Sequence, residues 1–289
     1  MHPFTHLILT RFNVRVDYST PGKGLDPDWL SHRFQLFEQF CYPSMRMQSN
    51  QQFKWLVFFD SETPTEFKQK ISDYAEWRNF VPVYVDREFT PELNRMTVFA
   101  HLPQEVEFLI TTRLDNDDAV SNDFIQVIQR NFQDQSLEFI NLPNGYVWSQ
   151  GKLYSFRYLK NPFMSLVERI QERSPNGFKT ILCGEHTQLA SIGTVKQVQT
   201  APTWLQVVHG NNVSNRIRGV RQPVQKLDDR FFIDRQDIPA SDPLLSYWTD
   251  RSLTLAKAPL ELIATLLPKG IKTHLRRLMP ARSLTDKPF

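Results

Sequence analysis

The chain has 289 residues, of which 40% are hydrophobic and 22% are charged, with a formal net charge of +3 at neutral pH. This composition is ordinary for a soluble globular protein, and the length suits one large core or two small domains. The sequence contains no run of about 18 apolar residues, no internal repeat and no low-complexity tract, which excludes a membrane span and a repeat architecture.

The cysteine content favours a cytoplasmic protein. Cys41 and Cys183 are the two cysteines of the chain, and so few in a chain of this length are typical of a reducing compartment, although one disulfide is arithmetically possible. The apolar run Leu7-Ile8-Leu9 is too short for the core of a signal peptide.

The first 120 residues alternate between predicted strands and predicted helices. Apolar segments predict strands over residues 5–14, 53–60, 80–86 and 106–115. Helical spacing or capping signals predict helices over residues 28–41, from Thr63 onward and over 90–102. This order predicts an α/β fold with right-handed crossovers and a mixed, mostly parallel sheet flanked by helices.

A polar residue follows each predicted strand. Asn13, Asp60, Asp86 and Asp115 stand at these four positions. Ligands of open α/β sheets bind outside the carboxyl ends of the strands, so a site is expected there.

The second half is less regular. The sequence predicts a helix over 123–132, a hairpin around Asn144-Gly145, a helix over 162–174, and strands within 193–200 and 204–209. We therefore predict one extended domain over 1–240, divided at residue 120 into a first half (1–120) and a second half (121–240), and a helical basic tail over 241–289.

The stretch TTRLDNDDAVSND, residues 111–123, crowds Asp115, Asp117 and Asp118 into four positions. Carboxylates this close repel one another, and a bound cation would relieve that repulsion. Oxygen ligands suit Mg²⁺ or Mn²⁺. A calcium loop of the EF-hand type fits poorly, because Ala119 and Val120 fill positions that such a loop needs otherwise. The alternative is a solvated turn in which aspartates cap the next helix.

Two motifs carry a family resemblance. TTRLDNDDA, together with WLQVVHGNNVSN at 204–215, resembles glycosyltransferases of the GT-A fold and, more closely, a bacterial family of proposed rhamnosyltransferases, over roughly residues 5–235. The resemblance implies that residues 1–240 are a catalytic domain with a nucleotide-sugar half (1–120) and an acceptor half (121–240). It also implies a metal-dependent, inverting enzyme of polysaccharide biosynthesis. It would use Mn²⁺ or Mg²⁺ to move a sugar from a dTDP- or UDP-linked donor to a glycan or lipid-linked acceptor. No nucleic acid partner is expected.

The resemblance also assigns residues. Asp115, Asp117 and Asp118 would hold the metal, with Asp117 the most direct ligand, and His209 would help to hold the metal or the diphosphate. For His209 the alternative is a packed core histidine.

Further residues are expected to contact the donor. Asp60 stands where this fold binds the pyrimidine ring, although it would also suit a helix-capping turn, and Arg11 and Arg113 would neutralise phosphate or pair with the aspartates. A diphosphate-binding segment, which could equally be a polar turn, follows His209 and comprises Asn211, Asn212, Ser214 and Asn215.

The catalytic base is expected in CGEHTQLA, residues 183–190. Related enzymes use the Asp of a Glu-Asp pair, whereas here Glu185 precedes His186, so either side chain could accept the proton of an acceptor hydroxyl. The family pattern favours Glu185, whose alternative role is to cap the following helix.

Two other functions compete. A nucleotidyltransferase that makes sugar nucleotides would share the sheet and the metal-bound aspartates, but usually has a glycine-rich loop after the first strand, and LTRFNVRV has no glycine. A carbohydrate- or metal-binding module without activity is the other. The sequence does not identify the donor sugar, the acceptor or the oligomeric state.

The tail is basic. From Arg251 onward the sequence has eight Lys or Arg against two acidic residues. Apolar residues precede a basic cluster in 259–283, which predicts an interfacial helix and peripheral contact with the inner face of a membrane. The alternative is that the leucines of 259–283 pack on the catalytic domain.

Overall fold

The computed structural model describes residues 3–16, 22–209, 217–227, 229–236, 238–239 and 241–266, without the side chains of 258–266. The strands are β1 (Phe4–Arg11), β2 (Lys54–Asp60), β3 (Phe80–Val85), β4 (Phe108–Arg113), β5 (Ala119–Val120), β6 (Leu137–Asn141), β7 (Asn144–Ser149), β8 (Lys152–Arg157), β9 (Ser165–Arg169), β10 (Thr194–Gln197), β11 (Trp204–Val207) and β12 (Val220–Gln222). The helices are α1 (Pro27–Leu36), α2 (Tyr42–Arg46), α3 (Thr65–Ala75), α4 (Pro91–Ala100), α5 (Phe124–Gln129) and α6 (Leu244–Leu266).

The larger sheet has seven strands in the order β10-β6-β9-β4-β1-β2-β3. Strands β4, β1, β2 and β3 are parallel to their neighbours in that series, whereas β9 is antiparallel to both β4 and β6. The predicted fold class, a mixed and mostly parallel sheet flanked by helices, is confirmed. Strands from both sides of residue 120 share this sheet, and the predicted division of domains stays a prediction.

Helices cover both faces of the larger sheet, which explains why its central strands are apolar throughout. Alternate residues of β1 face opposite sides: Ile8 packs in a cluster with residues of α1, α3 and α5, while Leu7 and Leu9 pack in a second cluster with Val98 of α4. The core therefore has two layers separated by the sheet.

The helical segment that begins with α1 extends to Arg46, past the predicted end at residue 41. Asp26 caps it by accepting the Trp29 N–H at 2.8 Å, and Pro27 occupies its first position, where no N–H is required. After Leu36 the chain continues through π-helical turns at Phe37–Cys41 into α2. The buried face of this segment packs on the sheet beside the carboxyl ends of β1 and β4.

The smaller sheet places the two motifs next to each other. Its order is β12-β8-β7-β11-β5, and β5 is antiparallel to β11. Strand β5 directly follows the acidic loop, and β11 directly precedes Val208 and His209. This short pairing brings His209 to the loop that carries Asp117.

The helix predicted over 162–174 is wrong. Residues Ser165–Arg169 form β9, which lies between β4 and β6 and pairs with both. Four consecutive residues, 165–168, are buried, because a strand inside a covered sheet buries both of its faces. Tertiary pairing on two sides overrides the weak helical spacing of the segment.

The predicted hairpin turn is also misplaced. The hairpin joins β7 to β8 through Gln150 and Gly151, which have positive φ angles of 48° and 72°. Gly145 instead begins β7 beneath Trp204, where a Cβ would lie 2.0 Å from Trp204 Cδ2. The glycine signal therefore reflects close packing and not a turn.

Within the described part of the chain, none of the helices combines the length and the apolar character needed to cross a bilayer. Cys41 and Cys183 are both free thiols. Residues 267–289 of the predicted tail lie outside the described residues.

We predict that Gly145→Ala lowers the free energy of unfolding by about 1–3 kcal/mol, because the added methyl group must displace the buried Trp204 ring. Urea denaturation measures the effect. Gly184→Ala is the matched control: its Cβ would meet Ile192 Cδ1 at 3.4 Å, an ordinary contact, and the change should stay below about 1 kcal/mol. Equal losses in the two variants would contradict this packing role.

Candidate functional site

The acidic loop is fixed to the carboxyl end of β1. Leu114 donates its N–H to Leu9 O at 3.2 Å, and Asn116 Nδ2 donates to Phe12 O at 3.1 Å. The Asp118 N–H closes a turn onto Asp115 O at 3.3 Å. The loop therefore leaves the sheet at the edge where the strand-end rule predicts a ligand.

Asp117 lies at the centre of a cluster of positive and polar groups. Its Oδ2 accepts hydrogen bonds from Arg33 Nη1 at 2.7 Å and from His209 Nε2 at 2.9 Å. The Asp117 side chain is 7% exposed and that of Arg33 11%. A buried carboxylate needs such partners, since removing one partner of a buried pair costs about 3–5 kcal/mol.

Two histidines continue this network. His32 Nε2 lies 3.4 Å from His209 Nδ1. Burial, together with His209 and Arg33, lowers the pKa of His32. With a hydrogen on Nε2 of each ring and a lone pair on Nδ1 of His209, His32 donates to His209 and His209 donates to Asp117.

Asp118 is the most deeply buried of the three carboxylates. It is 1% exposed, and its Oδ1 accepts the Val207 N–H at 2.8 Å. Its Oδ2 has no hydrogen-bond partner among the described residues. Burial, followed by the charges of Asp117 and Asp115, raises the pKa of Asp118 well above its usual value.

Asp115 forms a bidentate pair with Arg113, whose Nε and Nη2 donate at 3.1 and 2.9 Å. Lost hydration acts to raise the pKa of Asp115, but Arg113, Arg11 and His186 outweigh it and hold the pKa below its usual value. Arg11 and His186 thus lie within electrostatic reach of the acidic loop. Arg113 therefore pairs with an aspartate of the acidic loop, and its expected contact with phosphate stays a prediction.

The segment that leads to Glu185 and His186 is anchored from the buried side of the sheet. Glu168 accepts the N–H groups of Lys179 and Thr180 at 2.7 and 2.8 Å. Thr180 has a positive φ of 67°, and its hydroxyl accepts from Asn94 Nδ2 at 2.7 Å. Such a backbone conformation persists in a threonine only when its surroundings enforce it.

His186 and Glu185 differ in environment. His186 Nδ1 lies 2.6 Å from Lys160 O; because a carbonyl can only accept, Nδ1 carries the hydrogen and Nε2 keeps its lone pair. Burial and the nearby Arg113 lower the pKa of His186. Glu185 is exposed and its Oε2 accepts from Thr187 Oγ1 at 3.4 Å.

Asp60 lies at the end of β2, in a separate group from the acidic loop. It is 1% exposed, forms an ion pair with Arg15 at 2.9 Å, and accepts the Glu62 N–H at 2.9 Å. Asn13 Oδ1 accepts the Asp60 N–H at 3.1 Å, which joins the ends of β1 and β2. The expected contact with a pyrimidine ring stays a prediction.

The remaining predicted residues, Asn211, Asn212, Ser214 and Asn215, lie outside the described residues. Sequence reasoning missed Arg33 and His32. A signal for Arg33 exists, because Leu30, Arg33, Phe34 and Phe37 follow the i, i+3, i+4, i+7 spacing of a buried helix face. An arginine in such a stripe needs a buried partner.

The side chains around the acidic loop are of the types that bind a hard divalent cation. Two carboxylates and an imidazole suit Mn²⁺ or Mg²⁺, and no described residue forms a hydrogen bond with Asp118 Oδ2. However, no group of three or more His, Cys, Asp or Glu side chains among the described residues is already arranged to hold an ion. Arg33 and His209 occupy Asp117 Oδ2, so a metal there would have to replace at least one of them.

The α/β sheet places an Asp-x-Asp pair after β4, with a later histidine beside it, which is the arrangement expected of a glycosyltransferase. The chain belongs to the family described as "Putative rhamnosyl transferase", whose model matches residues 24–221. The family predicted from the two motifs is thereby confirmed. Among proteins with curated functions, none matches this chain significantly in sequence.

Solved structures show remote similarity. TarS 1-349 from S. aureus is 11% identical with a TM-score of 0.43, over 70% of this chain and 60% of that one. The mannosyltransferase PcManGT from Pyrobaculum calidifontis, solved with GDP-Man and Mn2+, is 10% identical with a TM-score of 0.42, over 71% and 57%. The 4-diphosphocytidyl-2C-methyl-D-erythritol synthase from Anaerococcus prevotii is 13% identical with a TM-score of 0.38, over 74% and 91%.

The chain spans about 60% of the length of the TarS fragments that it matches. At TM-scores below 0.5, these similarities are too remote to assign a fold or a function. The family match and the geometry of the site carry the assignment.

We predict that Asp118→Asn raises the melting temperature of the metal-free protein at pH 7. The raised pKa means that folding favours the protonated carboxyl, so its stabilising contribution is present at low pH and is lost as the pH rises through the folded-state pKa. The amide keeps an oxygen for the Val207 N–H and removes the charge. A gain of 1 kcal/mol corresponds to roughly 2–4 °C.

Calorimetric melting between pH 4 and pH 8 measures this effect, and the gain should shrink towards pH 4. Asp86→Asn is the control, because the Asp86 side chain is 77% exposed. A lower melting temperature for Asp118→Asn at pH 7 would mean that the charge is compensated in the folded protein.

Proposed function

We propose that this protein transfers a sugar from a nucleotide-sugar donor to an acceptor hydroxyl by single displacement with inversion, and that the sugar is rhamnose. The acceptor oxygen would bond to the anomeric carbon as the bond from that carbon to the diphosphate breaks. The observation that carries the proposal is the buried Asp117 at a strand end, held by Arg33 and His209, in a member of this family. The word rhamnosyl in the family description is the sole support for the sugar.

Cationic side chains of the site suit a diphosphate. Arg33, Arg113 and Arg11 lie around the acidic loop and would neutralise the phosphate oxygens. Asp117, Asp118 and His209 would hold Mn²⁺ or Mg²⁺. When bound, that ion would supply Lewis-acid stabilisation of the charge on the departing diphosphate.

Movement of Arg33 would couple metal binding to donor binding. Arg33 Nη1 binds Asp117 Oδ2 in the described arrangement, which is the oxygen that a cation would take. Once replaced there, the guanidinium would be released beside the donor phosphates. Arg33 would stabilise Asp117 when no metal is bound and would bind the donor phosphates when a metal is bound.

We propose His186 as the general base, in place of the Glu185 that the family pattern favours. The Lys160 carbonyl fixes the tautomer that leaves Nε2 able to accept a proton. Burial lowers the pKa of His186, which keeps the ring neutral at pH 7. Glu185 would orient the acceptor or the loop.

The rival nucleotidyltransferase function is disfavoured by the chain after β1. Residues 12–16 contain no glycine, and Phe12 and Val14 are buried. Their side chains fill the place where a glycine-rich loop would let a triphosphate approach the backbone. A binding module without activity would bind a nucleotide sugar and leave it intact.

We predict that nucleoside diphosphate binding requires a divalent cation and that Asp117→Ala lowers turnover by at least about 10²-fold, because it removes the proposed metal ligand. Calorimetry with dTDP-, UDP- and GDP-sugars, with Mn²⁺ and with excess chelator, measures binding, and nucleotide release measures turnover. Asp86→Ala, an exposed carboxylate at the end of β3, is the control. Full activity in chelator would refute the metal, and failure to bind any nucleotide sugar would refute the function.

We predict that His186→Gln lowers kcat by about 10²–10⁴-fold with little change in donor affinity, as expected for loss of a general base. In the wild type, kcat/KM should fall on the acid side only below pH 6.5, because the neutral imidazole is the active form and its pKa is lowered. Glu185→Gln is the matched comparison. If only Glu185→Gln loses activity, the base is Glu185; if neither does, it lies elsewhere.

A further inference from the structure

One side of α6 is fastened to the smaller sheet. Lys152 Nζ donates to Asp250 Oδ2 at 2.7 Å, and Arg251 Nη1 donates to Arg221 O at 2.7 Å. Arg221 in turn donates its N–H to Thr254 Oγ1 at 3.0 Å. Residues 250, 251 and 254 lie on one side of the helix, so these contacts set its rotation about its axis.

Arg221 makes this attachment rigid. Its side chain is 2% exposed and forms an ion pair with Asp242, just before the helix begins. Its guanidinium lies 5.7 Å from the Tyr154 ring of β8 and 5.6 Å from the Tyr247 ring of α6. The helix therefore presents a defined face to solvent.

That face includes an apolar stripe. Leu244 is 76% exposed, Leu245 88%, Trp248 60% and Leu255 50%. At about 100° per residue, Leu244, Trp248 and Leu255 lie within about 40° of one another around the helix, and Leu245 borders them. Large apolar side chains that are this exposed and this close together mark an interaction surface.

Both the pattern and the charge of the chain continue this surface. By sequence, the same helical angle recurs at Pro259, Leu262 and Leu266, whose side chains are outside the described residues. From Arg251 onward, eight Lys or Arg stand against two acidic residues. A second copy of the chain would bring an equally basic segment, which would repel, whereas an anionic surface would attract it.

We propose that α6 lies in the interface of an anionic membrane, with Leu244, Leu245, Trp248 and Leu255 inserted among the lipid headgroups. Apolar residues on one face, a tryptophan and nearby basic charge are what such helices combine. Asp250, about 160° around the helix from Trp248, and Arg251, at the edge of this apolar face, hold the protein body, so the helix lies on the bilayer and does not cross it. The surface differs from the predicted contact at 259–283, because it begins at Leu244.

Vesicle flotation of the full-length protein tests this proposal directly. Vesicles of phosphatidylcholine with about one-third phosphatidylglycerol should carry the protein upward at low salt, and binding should fall in pure phosphatidylcholine and at high salt. Trp248→Glu should lower the bound fraction about tenfold, because it replaces a large apolar group with a charge. Binding is read without any sugar transfer, so the result is independent of the proposed function.

Leu253→Glu is the matched control. Leu253 is 53% exposed and lies about 140° around the helix from Trp248. The substitution therefore adds the same charge away from the proposed face, and vesicle binding should stay within about twofold of the wild type. Trp248 contacts Tyr247 at 5.2 Å between ring centroids. Leu244→Glu, which is more exposed, therefore serves as a second variant if Trp248→Glu unfolds.

Three results would overturn the proposal. The first is absence of flotation with anionic vesicles at low salt. The second is an equal loss of binding in Trp248→Glu and Leu253→Glu. The third is a dimer by light scattering that dissociates in Trp248→Glu without vesicle binding, which would make a second copy of the chain the occupant.

Discussion

The burial of two adjacent carboxylates, Asp117 and Asp118, is the constraint on which the rest of the site depends. Charges of one sign cannot be taken from water together without partners. Here the partners come from opposite parts of the fold: Arg33 from α1, and His209 and the Val207 N–H from the end of β11. The larger sheet's helix layer and the smaller sheet must both be in place before the loop is stable, so folding and site assembly are one event.

The sequence predicted the four parallel strands well, because strands covered on both faces read as short apolar runs that end in polar residues. It failed at β9, where four successive residues are buried by pairing with β4 and β6. The paired residues are at least 25 positions apart in the chain, and no local pattern records them. It also failed at Gly145, since a glycine that admits Trp204 looks the same in sequence as a glycine that makes a turn.

The sequence likewise predicted one part of the candidate site and missed another. The strand-end rule and the family motifs predicted that Asp117 and His209 belong to one site, and the two side chains lie 2.9 Å apart. The motifs could not show that one oxygen of Asp117 is shared by two donors, or that the carbonyl of Lys160 selects the tautomer of His186. Both depend on atoms brought together by tertiary packing. Arg33 was the missed residue with a readable signal, namely a charge within an apolar helix stripe.

The anchor at Thr180 has an evolutionary consequence. Glu168 and Asn94 fix the backbone there in a conformation that threonine rarely adopts, so the chain direction is set before residue 181 is reached. The turn that follows can then exchange residues other than His186 without disturbing the carboxylates of the acidic loop. Related sequences can therefore vary this turn while the loop that carries Asp115, Asp117 and Asp118 stays unaltered.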